Sequence, residues 1–322
     1  MQRRQLLQAA SAAIALPQLA FAQTYPSKSI RYIVPVSAGG GSDMIARVLT
    51  ERWAKVLGQS FIVDNQSGGG GVVACQATVR APADGYTLLQ GYVATHGTTP
   101  ATRKVSYDAI KDFTPIGMIG ATPNVLAINA SLPVKDIKEF IDYVKRNPGK
   151  VNYGSAGAGS LTHLTMELLK QETGAFMLHI PYRGIAPAIN DVLGGQTQAM
   201  FPGLAAALPH LRSGRMRALA VTGKERSPQI KDVPTMEEVG FKGFDAMQWY
   251  GCVGPAGMPQ DIVRKLNETM VSVLKMPELA EKLSSEAVEP WPMTPDQFGQ
   301  YMQKDITRWT ALAKARKIQL DE

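Results

Sequence analysis

Ile30-Arg31-Tyr32-Ile33-Val34-Pro35-Val36-Ser37-Ala38-Gly39-Gly40-Gly41-Ser42-Asp43-Met44-Ile45 decides the fold of this chain. Its first five residues are mostly β-branched or aromatic and predict a strand over 30–34. The glycines then open a tight turn, and Ser42 reads as the N-cap of a helix over 42–57. That helix has Asp43 in its first turn, apolar Ile45, Val48, Leu49, Val56 and Leu57 at helical spacing, and Gly58 as its stop. Strand, glycine turn and helix together form the repeating unit of an open parallel sheet with helices on its faces.

The unit recurs on either side. A strand over 61–63, the glycine run Gly68-Gly69-Gly70-Gly71, a helix over 72–80 and a strand over 86–89 complete a βαβαβ series. A second series follows, with strands over 125–128, 151–153, 177–180, 198–201 and 217–221. Helices are expected between them over 136–146, 161–172, 186–193 and 205–211. After Pro259 the pattern is helical only, over 261–274 and from Thr294-Pro295-Asp296 onward, where Thr caps and Pro takes the first turn. The expected fold class is α/β in two lobes.

Composition agrees, since 322 residues at 45% hydrophobic and 19% charged describe a globular chain with room for two domains. Residues 1–22 read as an export signal. Arg3 and Arg4 give a basic start, 6–20 is small and apolar, and Ala20-Phe21-Ala22 fits a small-x-small cleavage site, so cleavage is expected after Ala22. Pro17 and an apolar run below the roughly 20 residues of a membrane span argue against a transmembrane helix. Arg3-Arg4-Gln5-Leu6-Leu7 is a loose twin-arginine match, and the export route stays open between that and the general secretory one.

Losing Arg3 and Arg4 from 34 basic residues, against 27 acidic ones, leaves a net charge of +5. The positive residues are scattered along helices and never interleave with aromatics, which argues against nucleic acid as a partner. Cys75 and Cys252 are too few for a disulfide scaffold and wrongly spaced for a metal site. They either pair or remain two buried thiols, and their apolar neighbours favour the thiols.

Three turns after strands are glycine-rich or small: 37–43, 67–71 and 154–160. Ligands of open α/β sheets bind beyond the carboxyl ends of the strands, where helix amino-termini supply N–H groups and the equivalent of about half a positive charge. A carboxylate suits such turns. Each alone is better explained as a tight turn for helix packing; two of matching design in two lobes point to a shared cleft. Enzyme motifs are absent: there is no phosphate-binding loop ending in Gly-Lys-Ser/Thr, no His-Glu-x-x-His and no Gly-x-Ser-x-Gly. Gly69-Gly70-Gly71-Val72-Val73-Ala74 matches a dinucleotide fingerprint loosely, but no acidic residue follows at the required distance of about 20. His96, His163, His179 and His210 show no metal spacing; His163, in the first turns after the 154–160 loop, and His96, beyond a strand end, are the two placed to reach a ligand.

Further segments carry a resemblance. Val34-Pro35 with Gly39-Gly40-Gly41-Ser42-Asp43 and Arg47, Asp64-Asn65 before the glycine run, and Asp84-Gly85-Tyr86-Thr87-Leu88 form one group. Tyr153-Gly154-Ser155 with Gly157, Gly159 and His163, then Pro181-Tyr182-Arg183-Gly184, Gly194-Gly195-Gln196, Val233-Pro234-Thr235 and Pro255-Ala256-Gly257 form another. Over nearly the whole chain it resembles the Bug family of periplasmic solute receptors, partners of tripartite tricarboxylate transporters.

The resemblance implies a type II periplasmic-binding-protein fold with two crossing segments near 118–124 and 244–251. It implies a signal peptide over 1–22, one lobe of 23–122 plus 245–322, and a second of 123–244. A carboxylate ligand would be held by Ser37, Ala38, Gly39, Gly40, Gly41 and Ser42 and by Val93, Ala94 and His96 from the first lobe. The second lobe would add Ser155, Ala156, Gly159, Ser160, His163, Tyr182, Arg183, Gly184, Pro202 and Gly203. Pro202 departs from the family's frequent Asp, which disfavours an amino-acid ligand and favours an aromatic or aliphatic mono- or dicarboxylate. The implied protein is a periplasmic, monomeric receptor without catalytic residues, metal or cofactor, partnered by transporter components. The alternatives are an accessory protein to a sensor kinase, or a hydrolase or transferase working in the same cleft.

Overall fold

The opening stretch forms β1 (Ile30–Val34) and α1 (Gly41–Leu57), in a computed structural model that describes residues 25–320. The export signal expected over 1–22 lies outside the described residues. Ser42 is not the N-cap. That position falls to Gly40 without a side-chain bond, and Asp43 Oδ2 instead accepts the Gly39 N–H at 2.9 Å. The carboxylate in the first turn thus ties down the turn before the helix, and the Ser42 hydroxyl accepts from Gln90 Nε2 at 2.7 Å.

The first series continues through β2 (Phe61–Asn65), α2 (Val72–Val79) and β3 (Thr87–Tyr92), with β1 parallel to both neighbours. After a π turn at Ala94–Thr98 and the short α3 (Thr99–Thr102), β4 (Phe113–Pro123) runs the length of the first sheet. One residue, Asn124, separates it from β5 (Val125–Asn129) in the second sheet. That sheet is filled by α4 (Ile137–Arg146), β6 (Asn152–Ser155), α5 (Leu161–Thr173), β7 (Leu178–Pro181), α6 (Ile185–Leu193), β8 (Ala199–Met200), α7 (Leu204–Arg212) and β9 (Met216–Val221). The chain returns through β10 (Met247–Pro255) and ends in α8 (Gln260–Leu274), α9 (Pro277–Ser284), β11 (Glu289–Pro290) and α10 (Pro295–Ala315). Thr294 and Gln297 close a capping box at the start of α10.

The strand orders are β11-β4-β10-β3-β1-β2 and β7-β6-β8-β5-β9. Neither sheet is wholly parallel, contrary to the sequence pattern. β10 is antiparallel to β3 and β4, and β5 is antiparallel to β8 and β9. Helix crossovers return a strand parallel to its predecessor. β5 and β10 arrive from the other sheet, so the end at which they enter sets their direction. The two crossings are tied together at Thr222, whose hydroxyl accepts the Asn124 N–H and donates to the Ala246 carbonyl, both at 2.9 Å.

Trp53 anchors the outer face of the first sheet, fully buried against Tyr32 and Phe61, with Nε1 donating to Thr269 on α8. Trp249 of β10 is equally buried on the other face and donates to Asp305 of α10 at 2.8 Å. Cys75 and Cys252 are both buried and unpaired.

Candidate functional site

The carboxyl ends of β1, β3 and β6 and the return strand β10 converge on a continuous cleft. Its inner chamber has a volume of about 450 Å³ and includes Gly41, Ser42, Tyr92, Thr122, Ala156, Gly203, Gln248, Tyr250 and Glu286. The outer cleft, about 1050 Å³, is bordered by Val93, Ala94, Arg103 and Lys104 from one side and Ala156, Gly159, Ser160 and Thr162 from the other. The two parts share Tyr92, Ala156, Thr162 and Gln248.

The expected residues divide accordingly. Gly41, Ser42, Val93, Ala94, Ala156, Gly159, Ser160 and Gly203 line the cleft. Ser37, Ala38, Gly39 and Gly40 are exposed and stand outside its lining, on the turn that leads into Gly41. Asp43 rigidifies this turn. Burial works against its charge, but bonds from Arg47, the Gly39 N–H and Asn65 outweigh it and hold its pKa below the ordinary carboxylate value. Gly159 packs closely on the first sheet's side of the cleft: at φ 75° a Cβ there would stand 2.6 Å from Thr102 Oγ1.

Other expected residues face elsewhere. His96 is fully buried, bonded through Nδ1 to Thr95 and packed edge-on against Phe113, and it lies within the first lobe's interior. Burial pushes its pKa down to about 3. His163 is also turned inward: its Nδ1 accepts the Gly159 N–H and its ring stacks on His179 at 3.8 Å. It therefore shapes the 154–160 turn from behind. Tyr182 donates to Asp191, and its N–H bonds Ser155 O, so the 181–184 segment braces the same turn. Arg183 is exposed and forms no ion pair among the described residues; Asp191, its candidate partner, is taken by Tyr182. Gly184 donates its N–H to Ala156 O, and buried Pro202 offers its carbonyl to Val125 N–H.

The bare amides expected in the 154–160 turn are largely used inside it. Ala156 N–H goes to Thr162 Oγ1, Gly157 N–H to Ser155 Oγ, Gly159 N–H to His163 and Ser160 N–H to Gly157 O. Donors for an anion remain at the first turns of α5 and α1, whose opening amides lack intrahelical acceptors. Reading by glycine turns missed Tyr92, Thr122, Gln248 and Glu286, which lie on strands or an unremarkable turn. Tyr250 lines the cleft while its neighbour Trp249 packs inside.

Ser155 Oγ and His179 Nε2 are 2.6 Å apart, the contact a nucleophile and base would make. Ser155 is fully buried and also bonded to Gly157, and His179 is sandwiched between His163 and Tyr153. The pair lies inside the lobe and packs the turn.

Residues 45–318 match the Tripartite tricarboxylate transporter family receptor. The chain belongs to that family. Among its relatives, Protein BugT of Bordetella pertussis is 36% identical over 311 residues, covering 95% of this chain and 94% of that protein. An R. palustris protein solved with adipate is 35% identical at a TM-score of 0.79, covering 90% of this chain and 97% of its own. MatC of Rhodopseudomonas palustris, solved with bound malate, is 32% identical at a TM-score of 0.75, covering 89% and 99%. The cleft described above lies between the two lobes of this receptor, one built on each sheet.

Proposed function

We propose that this receptor closes its lobes around a small carboxylate outside the cytoplasm and delivers it to a tripartite tricarboxylate transporter. The observation that carries this reading is the cleft itself, lined from the first lobe by the α1 and π turns and from the second by the 154–160 turn. The bound adipate and malate of two relatives support the ligand class. The lobes are 23–122 with 245–322 and 123–244, with hinges over 118–124 and 244–251; the single-residue link at Asn124 and the Thr222 tie support this division. The receptor works as a monomer without catalysis, released to the periplasm by cleavage after Ala22.

Closure is a population shift, favoured only by the ligand's extra affinity for the closed form. The test is thermal unfolding of ligand-stripped protein against nicotinate, benzoate, phthalate, citrate, succinate, malate, aspartate and glutamate. A ligand at 100 times its Kd adds about 2.7 kcal/mol. A rise selective for carboxylates is expected; no response to any of them refutes the reading.

A further inference from the structure

Among the described residues the inner chamber has no Arg, Lys or His in its lining, and Glu286 is its one carboxylate. The turn after α9 presents that side chain. Ala287 beside it is buried and holds φ 51°, a left-handed conformation that costs a residue with a Cβ about 1 kcal/mol or more. Such a conformation persists where the surroundings require it, and here it directs Glu286 toward the cleft. Glu286 Oε2 lies at the start of α1: a methyl added at Gly41 would fall 2.7 Å from it. Its charge is also felt across the chamber at Tyr250, whose hydroxyl burial pushes up to about 12 with Glu286 adding to the rise.

The amino-terminus of α1 is thus already faced by an anion belonging to the protein. A ligand carboxylate entering the inner chamber would meet like charge with no cation to offset it, in a site partly shielded from water. A cationic donor would meet Glu286, the Tyr250 hydroxyl and the Thr122 hydroxyl, which is buried without a partner among the described residues. The outer cleft is the reverse, since Arg103, Lys104 and the first turn of α5 border it.

We propose that Glu286 selects a bipolar ligand, an amino-carboxylate with its ammonium in the inner chamber and its carboxylate in the outer cleft. This rests on the carboxylate-receptor reading and narrows it.

Titration calorimetry on the ligand-stripped mature chain tests it with matched pairs: 4-aminobutyrate and succinate, 5-aminovalerate and glutarate, 6-aminohexanoate and adipate. The amino member of the best-bound pair is expected to bind at least about tenfold more tightly than its dicarboxylate, the scale of one charged hydrogen bond. Glu286→Gln should collapse that ratio by about tenfold or more, and Glu286→Asp, which keeps the charge but shortens its reach, should lower it less. A wild-type preference for the dicarboxylate overturns the inference, as does a ratio unchanged in both variants. Equal tightening of every carboxylate in Glu286→Gln also overturns it, because Glu286 would then be a plug and not a selector. In those outcomes the carboxylate receptor stands; binding of no member removes both.

Discussion

Lowering the pH from 7 to 5 should destabilise this protein severely, because three of its histidines are held neutral inside it. Burial pushes His96 down to about 3, His163 to about 4 and His179 to about 3, with the stacked His163 adding to the fall at His179. Glu167 and Lys170 are the charged groups acting on the stacked pair, and they work in opposite directions. A base whose folded value lies below its unfolded value near 6.5 binds fewer protons folded than unfolded. Its contribution is therefore complete above 6.5 and is lost as pH falls toward the folded value. Between pH 7 and 5 each neutral histidine costs about 2 kcal/mol, so the three together cost about 4 to 6 kcal/mol once the partial exposure of His179 is allowed for. Asp305 and Glu289, raised by burial, offset part of this. Whole proteins are stable by only about 5–15 kcal/mol. Urea unfolding followed by tryptophan fluorescence at both pH values measures the difference, and His179→Gln, which keeps a hydrogen-bonding group beside Ser155, should remove about a third of it. Unfolding free energies that agree within about 1 kcal/mol would refute the reasoning.

Three further outcomes follow from single contacts. Arg316→Ala removes the bond from the end of α10 to Glu167 of α5, which lies in the other lobe; Arg316 is about a third exposed, so the loss should be about 1–2 kcal/mol, read as a lower melting point and a larger ligand-free radius in solution scattering. Gly159→Ala forces a Cβ against Thr102 and Leu320 at the lobe contact and should weaken ligand binding more than tenfold in calorimetry while each lobe keeps its circular dichroism. Trp249→Phe leaves the buried Asp305 with Arg308 alone and should cost about 2–4 kcal/mol in urea unfolding.

Local chemistry made much of this fold legible. The strand and helix over 30–57 could be read from periodicity and a glycine stop, and the start of α10 from Thr-Pro-Asp. Strand direction in β5 and β10 could not be, since an apolar run carries no sign of the end from which it enters a sheet. The α1 start differs from the sequence pattern because Gln90, distant in sequence, engages the Ser42 hydroxyl, and the N-cap falls earlier, at Gly40. Glycine turns located the cleft but not its electrostatics. Glu286 sits in Ser284-Ser285-Glu286-Ala287, a helix end with no motif, and meets Gly41 only through the packing of α9 against α1. His163 was drawn toward the ligand by its place in the first turn, yet its ring turns inward to His179.

The position of β10 also fixes an order of construction. Every strand of the second sheet lies within 125–221, so that lobe is complete in one uninterrupted length of chain. The first sheet has a gap between β3 and β4 until residues 247–255 arrive to fill it. A chain emerging amino-terminus first therefore finishes its inserted lobe before the lobe that began it. A fragment ending at residue 246 should show a protease-resistant second lobe attached to an unfinished first.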